Sequence, residues 1–140
     1  MSLLENMYKE VILEHYKRPR NRGEIENASV REEGLNPSCG DELELFLVVE
    51  DSTVTDVKFL GEGCAISQSS ASMMTEAIKG KTLAEVLKTS EHFKAMLQGE
   101  PPSSDLGDLQ MLQGVSKLHA RVKCAALPWV TLERALERAS

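Results

Sequence analysis

Residues 42–63, ELELFLVVEDSTVTDVKFLGEG, decide the fold. Apolar and polar residues alternate in both halves of this stretch, which is the period-two pattern of a β-strand that buries one face. Asp51 and Ser52, between the halves, are turn-forming residues. The stretch therefore predicts an antiparallel hairpin. The alternating apolar residues are Leu43, Leu45, Leu47, Val49, Val57 and Phe59.

Cysteines lie at both ends of this hairpin. Cys39 precedes the first strand, in NPSCGD (residues 36–41), and Cys64 follows the second, in GEGCA (residues 61–65). Because antiparallel pairing brings the outer ends of a hairpin together, the two thiols are predicted to lie at one corner. The glycines that allow close backbone approach around them are Gly40, Gly61 and Gly63.

Most of the remaining chain has helical periodicity. Residues 3–16, LLENMYKEVILEHY, carry an apolar stripe, whereas residues 26–34, ENASVREEG, predict a short edge strand. Two helices follow the hairpin, one ending at Gly80 and the next beginning with the capping-box pair Thr82 and Glu85. The predicted buried stripes are Leu4, Met7, Tyr8, Val11, Ile12 and His15 in the first helix and Leu83, Val86, Leu87, Phe93, Met96 and Leu97 in the third.

The last helix is predicted at least from Pro128 onward. Proline is tolerated in the first turn of a helix and costs about 3 kcal/mol deeper inside it. The helix therefore begins near Leu127 or bends there. A helix that begins there leaves Cys124 at or just before its N-terminus, where unpaired backbone N–H groups stabilise a thiolate.

Composition limits the classes of function. The chain has 140 residues, which predicts one domain over residues 1–140. A net charge of −6 and a pI near 5.1 argue against nucleic-acid binding. No apolar run approaches the roughly 20 residues of a membrane span, and the start lacks a signal-peptide pattern. Three cysteines cannot all pair with one another, so a reducing, cytoplasmic location is expected.

The three cysteines and Asp41 form a candidate donor set for a metal. Three thiolates and a carboxylate suit tetrahedral Zn²⁺, and thiolates also suit iron in iron–sulfur clusters. Taken singly, each cysteine is also compatible with a small buried apolar residue, and Asp41 with a solvated turn residue. His119 is a possible spare ligand. Arg121 and Lys123 either offset the charge of this site or lie exposed on a loop.

One basic segment, KRPRNRG (residues 17–23), interrupts an otherwise acidic chain. Pro19 and Gly23 end the first helix there. The segment is either a solvated linker or a docking patch for an acidic protein surface.

Three motifs in this order resemble the SufU-type sulfur-transfer proteins, relatives of the IscU/NifU-type iron–sulfur scaffolds. They are NPSCGD (residues 36–41), GEGCAISQSSASMM (residues 61–74) and ARVKCAALPW (residues 120–129). The resemblance implies an α+β fold, in which a small three-stranded antiparallel sheet carries helices packed mainly on one face.

Two features favour the sulfur-transfer branch of this family. The scaffold branch has a histidine directly before the third cysteine, where this chain has Lys123, and the long connector between the second and third cysteines resembles an insertion of the sulfur-transfer branch. The resemblance implies that Cys39 accepts sulfur and that Arg121 helps to manage the released thiol. It also implies four zinc ligands, which are Cys39, Asp41, Cys64 and Cys124.

The implied partner is a SufS-type, pyridoxal-phosphate-dependent cysteine desulfurase, with downstream iron–sulfur assembly proteins as recipients. Cys39 would attack the outer sulfur of the desulfurase persulfide. The first alternative is a scaffold that assembles a [2Fe–2S] cluster on the same residues. The second is a purely structural zinc module that recruits partners through residues 17–22.

Overall fold

The computed structural model describes residues 3–38 and 40–139, with side chains described from Lys9 onward. Cys39 and the side chains of Leu4, Met7 and Tyr8, which belong to the predicted first stripe, lie outside the described residues. The elements in chain order are α1 (Leu3–Lys17), β1 (Val30–Asn36), β2 (Asp41–Glu50), β3 (Thr53–Glu62), α2 (Ala65–Ile78), α3 (Leu83–Leu97), a 3₁₀ segment (Ser104–Lys117) and α4 (His119–Ala139).

The predicted hairpin is confirmed as β2 and β3. They pair antiparallel, with Leu45 opposite Phe59 and Leu47 opposite Val57. Both residues of the connecting turn have positive φ, 50° at Asp51 and 60° at Ser52, as a type I′ turn requires. A two-residue turn of this type matches the twist of the strands, and a register shift between Val48 and Val49 completes the pairing that brings their outer ends together.

The predicted edge strand is confirmed with shifted bounds: β1 begins at Val30 rather than at Glu26 and extends beyond Gly34. Strand β1 runs to Asn36, and the sheet order is β1-β2-β3, antiparallel throughout. Asn36 pairs with Asp41, so the strand pairing extends to both ends of the connection between β1 and β2. Gly40 has a φ of 69° in that connection, a conformation that glycine adopts without steric cost.

The helices lie on one face of the sheet, as predicted. Helices α2 and α4 pack directly on the strands, and α1, α3 and the 3₁₀ segment pack on those two helices. Most of the buried apolar residues that the structure describes form one cluster between these layers, including a stack of Phe93 on Trp129 with ring centroids 5.0 Å apart. The capping box of Thr82 and Glu85 is present at the start of α3. Leu87 was predicted to be buried and is 41% exposed.

The basic segment is attached to the sheet rather than solvated along its length. The Phe59 N–H donates to the Asn21 carbonyl (3.0 Å), and the Gly23 N–H donates to the Phe59 carbonyl (2.9 Å). The backbone of this segment therefore covers the outer edge of β3. The side chains of Arg18 and Arg22 remain exposed.

Of the two alternatives predicted for the last helix, a start near Leu127 is wrong. Helix α4 begins at His119 and contains Pro128, so Cys124 lies in its second turn and not at its N-terminus. Burial of Pro128 and Trp129 in the core offsets the cost of the proline. Ser70 also donates to the Ala125 carbonyl (2.7 Å), which ties the helix to α2 at this point.

His15 connects α1 to α2 in the interior. Its side chain is buried, and its Nδ1 lies 2.7 Å from Ser72 Oγ, which also accepts a hydrogen bond from the Arg20 N–H. Burial, and then the charge of Arg20, lower the pKa of His15 below its ordinary value, against the opposing charges of Glu76, Asp108 and Glu14. The folded protein therefore holds His15 neutral.

The lowered pKa of His15 predicts that the free energy of unfolding decreases in acid. The unfolded chain takes up a proton at His15 near pH 6.5 and the folded chain does so only at lower pH, so the stabilising contribution present above pH 6.5 is lost as the pH falls. One such group changes the free energy of unfolding by at most about 1.4 kcal/mol per pH unit. His15→Gln is expected to make the slope shallower between pH 6.5 and 5. Urea unfolding followed by Trp129 fluorescence measures it, and equal slopes would contradict the prediction.

Candidate metal centre

Three of the predicted site residues come together at one end of the sheet. Asp41 is the first residue of β2, Cys64 is the N-cap of α2, and Cys124 lies in α4. One potential ligand atom from each lies within 4.8 Å of the other two. Asp41 is 1% exposed and Cys124 0% exposed, whereas Cys64 is partly accessible. Three separate elements thus supply two sulfurs and a carboxylate to one small volume, the candidate metal centre.

The glycine before Cys64 allows the strand end to approach Asp41. A Cβ on Gly63 would collide with Asp41 Oδ1 and would lie 2.8 Å from Ser67 Oγ. A Cβ on Gly61 would lie 2.6 Å from the Glu42 carbonyl. The GEGC sequence therefore permits the close packing of β3 on β2 that brings Cys64 beside Asp41.

The Asp41 carboxylate also holds the start of α2. Its Oδ1 accepts hydrogen bonds from the Cys64 N–H (3.0 Å) and from the Ser67 hydroxyl (3.1 Å). Both donors lie at the N-terminus of α2, where the helix dipole favours negative charge. These two bonds leave Oδ2 as the oxygen with the larger remaining capacity to accept a metal bond.

The group fits a thiolate-binding metal ion. Four ligands placed about 2.3 Å from a tetrahedral ion lie about 3.8 Å from one another, so small side-chain rotations bring atoms already within 4.8 Å to that spacing. Sulfur and carboxylate ligands suit Zn²⁺, and thiolates also suit iron. A buried aspartate beside two cysteine sulfurs is costly to maintain unless its charge is compensated. A bound cation provides that compensation.

Among the residues that the structure describes, the other predicted site residues lie outside this group. Cys39, predicted as sulfur acceptor and fourth ligand, is outside the described residues, but the connection that contains it joins Asn36 to Asp41. Arg121 lies in the first turn of α4, three residues before Cys124, and is exposed, as are His119 and Lys123. Among the described residues, the metal-binding group contains no histidine, so His119 is not brought into it.

Sequence reasoning missed two residues that contact the ligands. Ser67 donates to Asp41 Oδ1, as described above. Asn36 lies with its Nδ2 3.5 Å from Asp41 Oδ2 and 3.8 Å from Cys124 Sγ. Its place at the start of the NPSCGD motif was the available signal.

Comparison with known proteins now identifies the family. The model of the NifU-like N-terminal domain matches residues 7–125. The chain belongs to this family. The matched residues include all four predicted ligands, and the predicted resemblance is confirmed.

Individual relatives of this NifU-like domain cover nearly the whole chain. The zinc-dependent sulfurtransferase SufU of Bacillus subtilis (strain 168) is 48% identical over 137 residues, covering 96% of this chain and 92% of that protein. The iron–sulfur cluster assembly scaffold protein IscU of Thermotoga maritima is 43% identical over 135 residues, covering 96% and 95%.

A solved structure agrees with the fold. A candidate iron–sulfur cluster assembly scaffold protein for the SUF system, from Fervidobacterium islandicum AW-1, superposes with a TM-score of 0.88 at 41% identity and covers 94% of this chain and 98% of that one. The predicted α+β class is confirmed. In the part of the chain that the structure describes, no helix has the length and apolar character needed to cross a membrane.

Proposed function

We propose that this protein is a zinc-dependent sulfurtransferase of iron–sulfur cluster biogenesis, which accepts sulfur from a cysteine desulfurase on Cys39 and passes it on. The observation that carries the proposal is the convergence of Asp41, Cys64 and Cys124 within 4.8 Å. The activity for which the Bacillus relative is named, at 48% identity, supports zinc as the metal. Cys39 completes the ligand set in this proposal.

Zinc bound at this centre supplies positive charge that keeps coordinated thiols deprotonated at neutral pH, where a free cysteine with a pKa of about 8.5 is mostly protonated. Coordination also lowers the reactivity of the sulfur. We therefore propose that Cys39 leaves the ligand set when the desulfurase docks and that a side chain of the partner replaces it. Asp41, Cys64 and Cys124 remain as the permanent ligands.

The transfer step is a thiolate exchange on sulfur. The Cys39 thiolate attacks the outer sulfur of the desulfurase persulfide, so a new S–S bond forms on Cys39 and the S–S bond of the donor breaks. The desulfurase cysteine leaves as a thiolate with the electron pair of the broken bond, and the exchange needs no external oxidant or reductant. Cys39 then holds the persulfide for a downstream iron–sulfur assembly protein.

Arg121 is proposed to assist this exchange. It is exposed in the first turn of α4, about one helical turn from Cys124. A guanidinium there attracts the thiolates that form during transfer. The role is electrostatic, and lysine at this position would retain part of it.

The same proposal includes the sulfur donor and the location of the reaction. The donor is a SufS-type, pyridoxal-phosphate-dependent desulfurase, and that cofactor belongs to the partner. The protein is proposed to act as a single cytoplasmic domain, residues 1–140, without a nucleic-acid or membrane partner. Its net charge of −6 supports the exclusion of nucleic acid.

A second candidate function is scaffolding of a [2Fe–2S] cluster on the same residues. The 43% identity to the Thermotoga scaffold protein favours it. Lys123 counts against it, because the scaffold branch has a histidine there. A purely structural zinc module is the third candidate, and Asp41 counts against that one because closed structural sites mostly use four cysteine or histidine ligands.

Desulfurase turnover distinguishes the three candidates. Protein loaded with one zinc is expected to accelerate cysteine turnover by a SufS-type desulfurase, and metal-stripped protein is expected not to, with activity restored by adding zinc. Persulfide on Cys39 is detected by mass spectrometry of the reaction. Zinc-loaded protein without any acceleration would favour the structural module. Stimulation only after iron and sulfide loading would favour the scaffold.

A further inference from the structure

Asn36 occupies an unexpected side of its strand. Successive residues of a strand face opposite sides of the sheet, and Val30, Gly34 and Asn36 are the buried positions of β1. The neighbouring Leu35 is 65% exposed, whereas Asn36 is 7% exposed. The strand therefore directs the Asn36 amide toward the protein interior and the Leu35 side chain toward solvent. Packing alone favours the opposite arrangement, because burying a polar group costs free energy unless it is hydrogen-bonded.

The buried amide lies between two members of the candidate metal centre. Asn36 Nδ2 is 3.5 Å from Asp41 Oδ2 and 3.8 Å from Cys124 Sγ. A side-chain amide carries two N–H donors on one nitrogen, so a single group reaches both acceptors. Asn36 also pairs with Asp41 in the sheet, so the two residues are direct cross-strand neighbours.

The contacts of Asp41 divide between its two oxygens. The Cys64 N–H and Ser67 hydroxyl hold Oδ1, whereas Asn36 approaches Oδ2. Asn36 therefore restricts rotation of the Asp41 carboxylate through its contact with Oδ2, the oxygen that Ser67 does not contact. It also links this carboxylate to a sulfur on α4, an element that does not adjoin Asp41 in sequence.

We propose that Asn36 is a positioning residue that holds Asp41 and Cys124 at metal-binding distance, so that with Cys64 they form a three-ligand holder that persists while Cys39 is detached. This inference rests on the proposed function, which requires Cys39 to leave the metal. Residues that hydrogen-bond to metal ligands typically contribute about 10-fold to 100-fold in affinity. Removal of the Asn36 amide is expected to weaken zinc binding by that factor.

The effect of removing Asn36 in a Cys39→Ala background separates this positioning role from an effect on the connection that contains Cys39. If Asn36 acts on the three permanent ligands, its removal weakens zinc binding by the same factor in wild type and in a Cys39→Ala background. If it acts instead by shaping the connection that contains Cys39, the effect disappears in the Cys39→Ala background.

The test measures zinc affinity by competition with a chromophoric chelator, for Asn36→Ala and Asn36→Leu, alone and combined with Cys39→Ala. Leucine matches the size of asparagine and lacks its donors. Cobalt(II) substitution at saturation provides a spectrum that reports ligand geometry independently of affinity, and both variants are expected to change its band positions. Asn21→Gly is the matched control.

Asn21 suits this purpose because its amide donates to Thr75 Oγ1 (2.9 Å) away from the centre, and its φ of 56° suits glycine. The control is expected to lower stability and leave zinc affinity and the cobalt spectrum unchanged. Wild-type affinity and spectrum in both Asn36 variants, in a protein that still stimulates the desulfurase, would overturn this inference alone. An effect that vanishes in the Cys39→Ala background would also overturn it. Wild-type protein that binds no zinc would overturn the proposed function as well.

Discussion

Cys39→Ala is expected to reduce sulfur transfer from a cysteine desulfurase to the background rate, a loss of at least about 10³-fold, as removal of a covalent nucleophile typically produces. Zinc is expected to remain bound, because Asp41, Cys64 and Cys124 converge within 4.8 Å and this substitution leaves all three in place. Persulfide formation is measured with isotopically labelled sulfur, and zinc content by elemental analysis of the same samples.

The matched controls are Cys64→Ala and Cys124→Ala, which remove permanent ligands instead of the acceptor. Both are expected to lose zinc together with activity, so the ratio of zinc content to activity separates the two roles. Cys39→Ala protein that transfers sulfur at the wild-type rate would show that the acceptor is another residue. Loss of zinc from Cys39→Ala would show that three ligands do not hold the ion.

The arrangement of the hairpin could be predicted because its signals are local. Alternating apolar residues and the turn at Asp51 and Ser52 act within a few residues, and the register that they set carries the outer strand ends to one place. The hairpin alone predicted that Cys39 and Cys64 lie at one corner. Of the two, the structure describes Cys64, whose N–H donates to Asp41 (3.0 Å). The predicted ligand roles themselves await metal analysis.

The start of α4 could not be predicted from local signals. Pro128 indicates a helix start when the sequence alone is considered, but the buried Trp129 and the hydrogen bond from Ser70 to the Ala125 carbonyl stabilise a helix that begins nine residues earlier. These contacts join segments that are far apart in the sequence. Tertiary packing therefore overrode the propensity of one residue.

The inward orientation of Asn36 also could not be predicted from the sequence. Whether Leu35 or Asn36 faces the interior depends on the pairing of β1 with β2, and a shift of one residue exchanges the two faces. The polar segment 26–34 contains too few apolar residues to define that register. Its assignment required the pairing of Asn36 with Asp41.

Substitutions at Asp41 are expected to separate metal binding from folding. Asp41→Asn keeps an oxygen that accepts from the Cys64 N–H and Ser67, but it removes the negative charge that a cation requires. Zinc affinity is expected to fall by at least about 100-fold, more than for a residue that only contacts a ligand. The metal-free variant is expected to unfold at nearly the wild-type urea concentration.

Asp41→Ala removes both the negative charge that binds the cation and the oxygen that accepts hydrogen bonds from α2. The Cys64 N–H loses the acceptor that it has at 3.0 Å, and an unsatisfied buried donor costs about 1–3 kcal/mol. The metal-free alanine variant is therefore expected to lose that much unfolding free energy, whereas the asparagine variant loses much less. Urea unfolding followed by Trp129 fluorescence measures the difference. Wild-type zinc affinity in Asp41→Asn would remove Asp41 from the ligand set, and equal stability of the two metal-free variants would show that its contacts to α2 do not stabilise the fold.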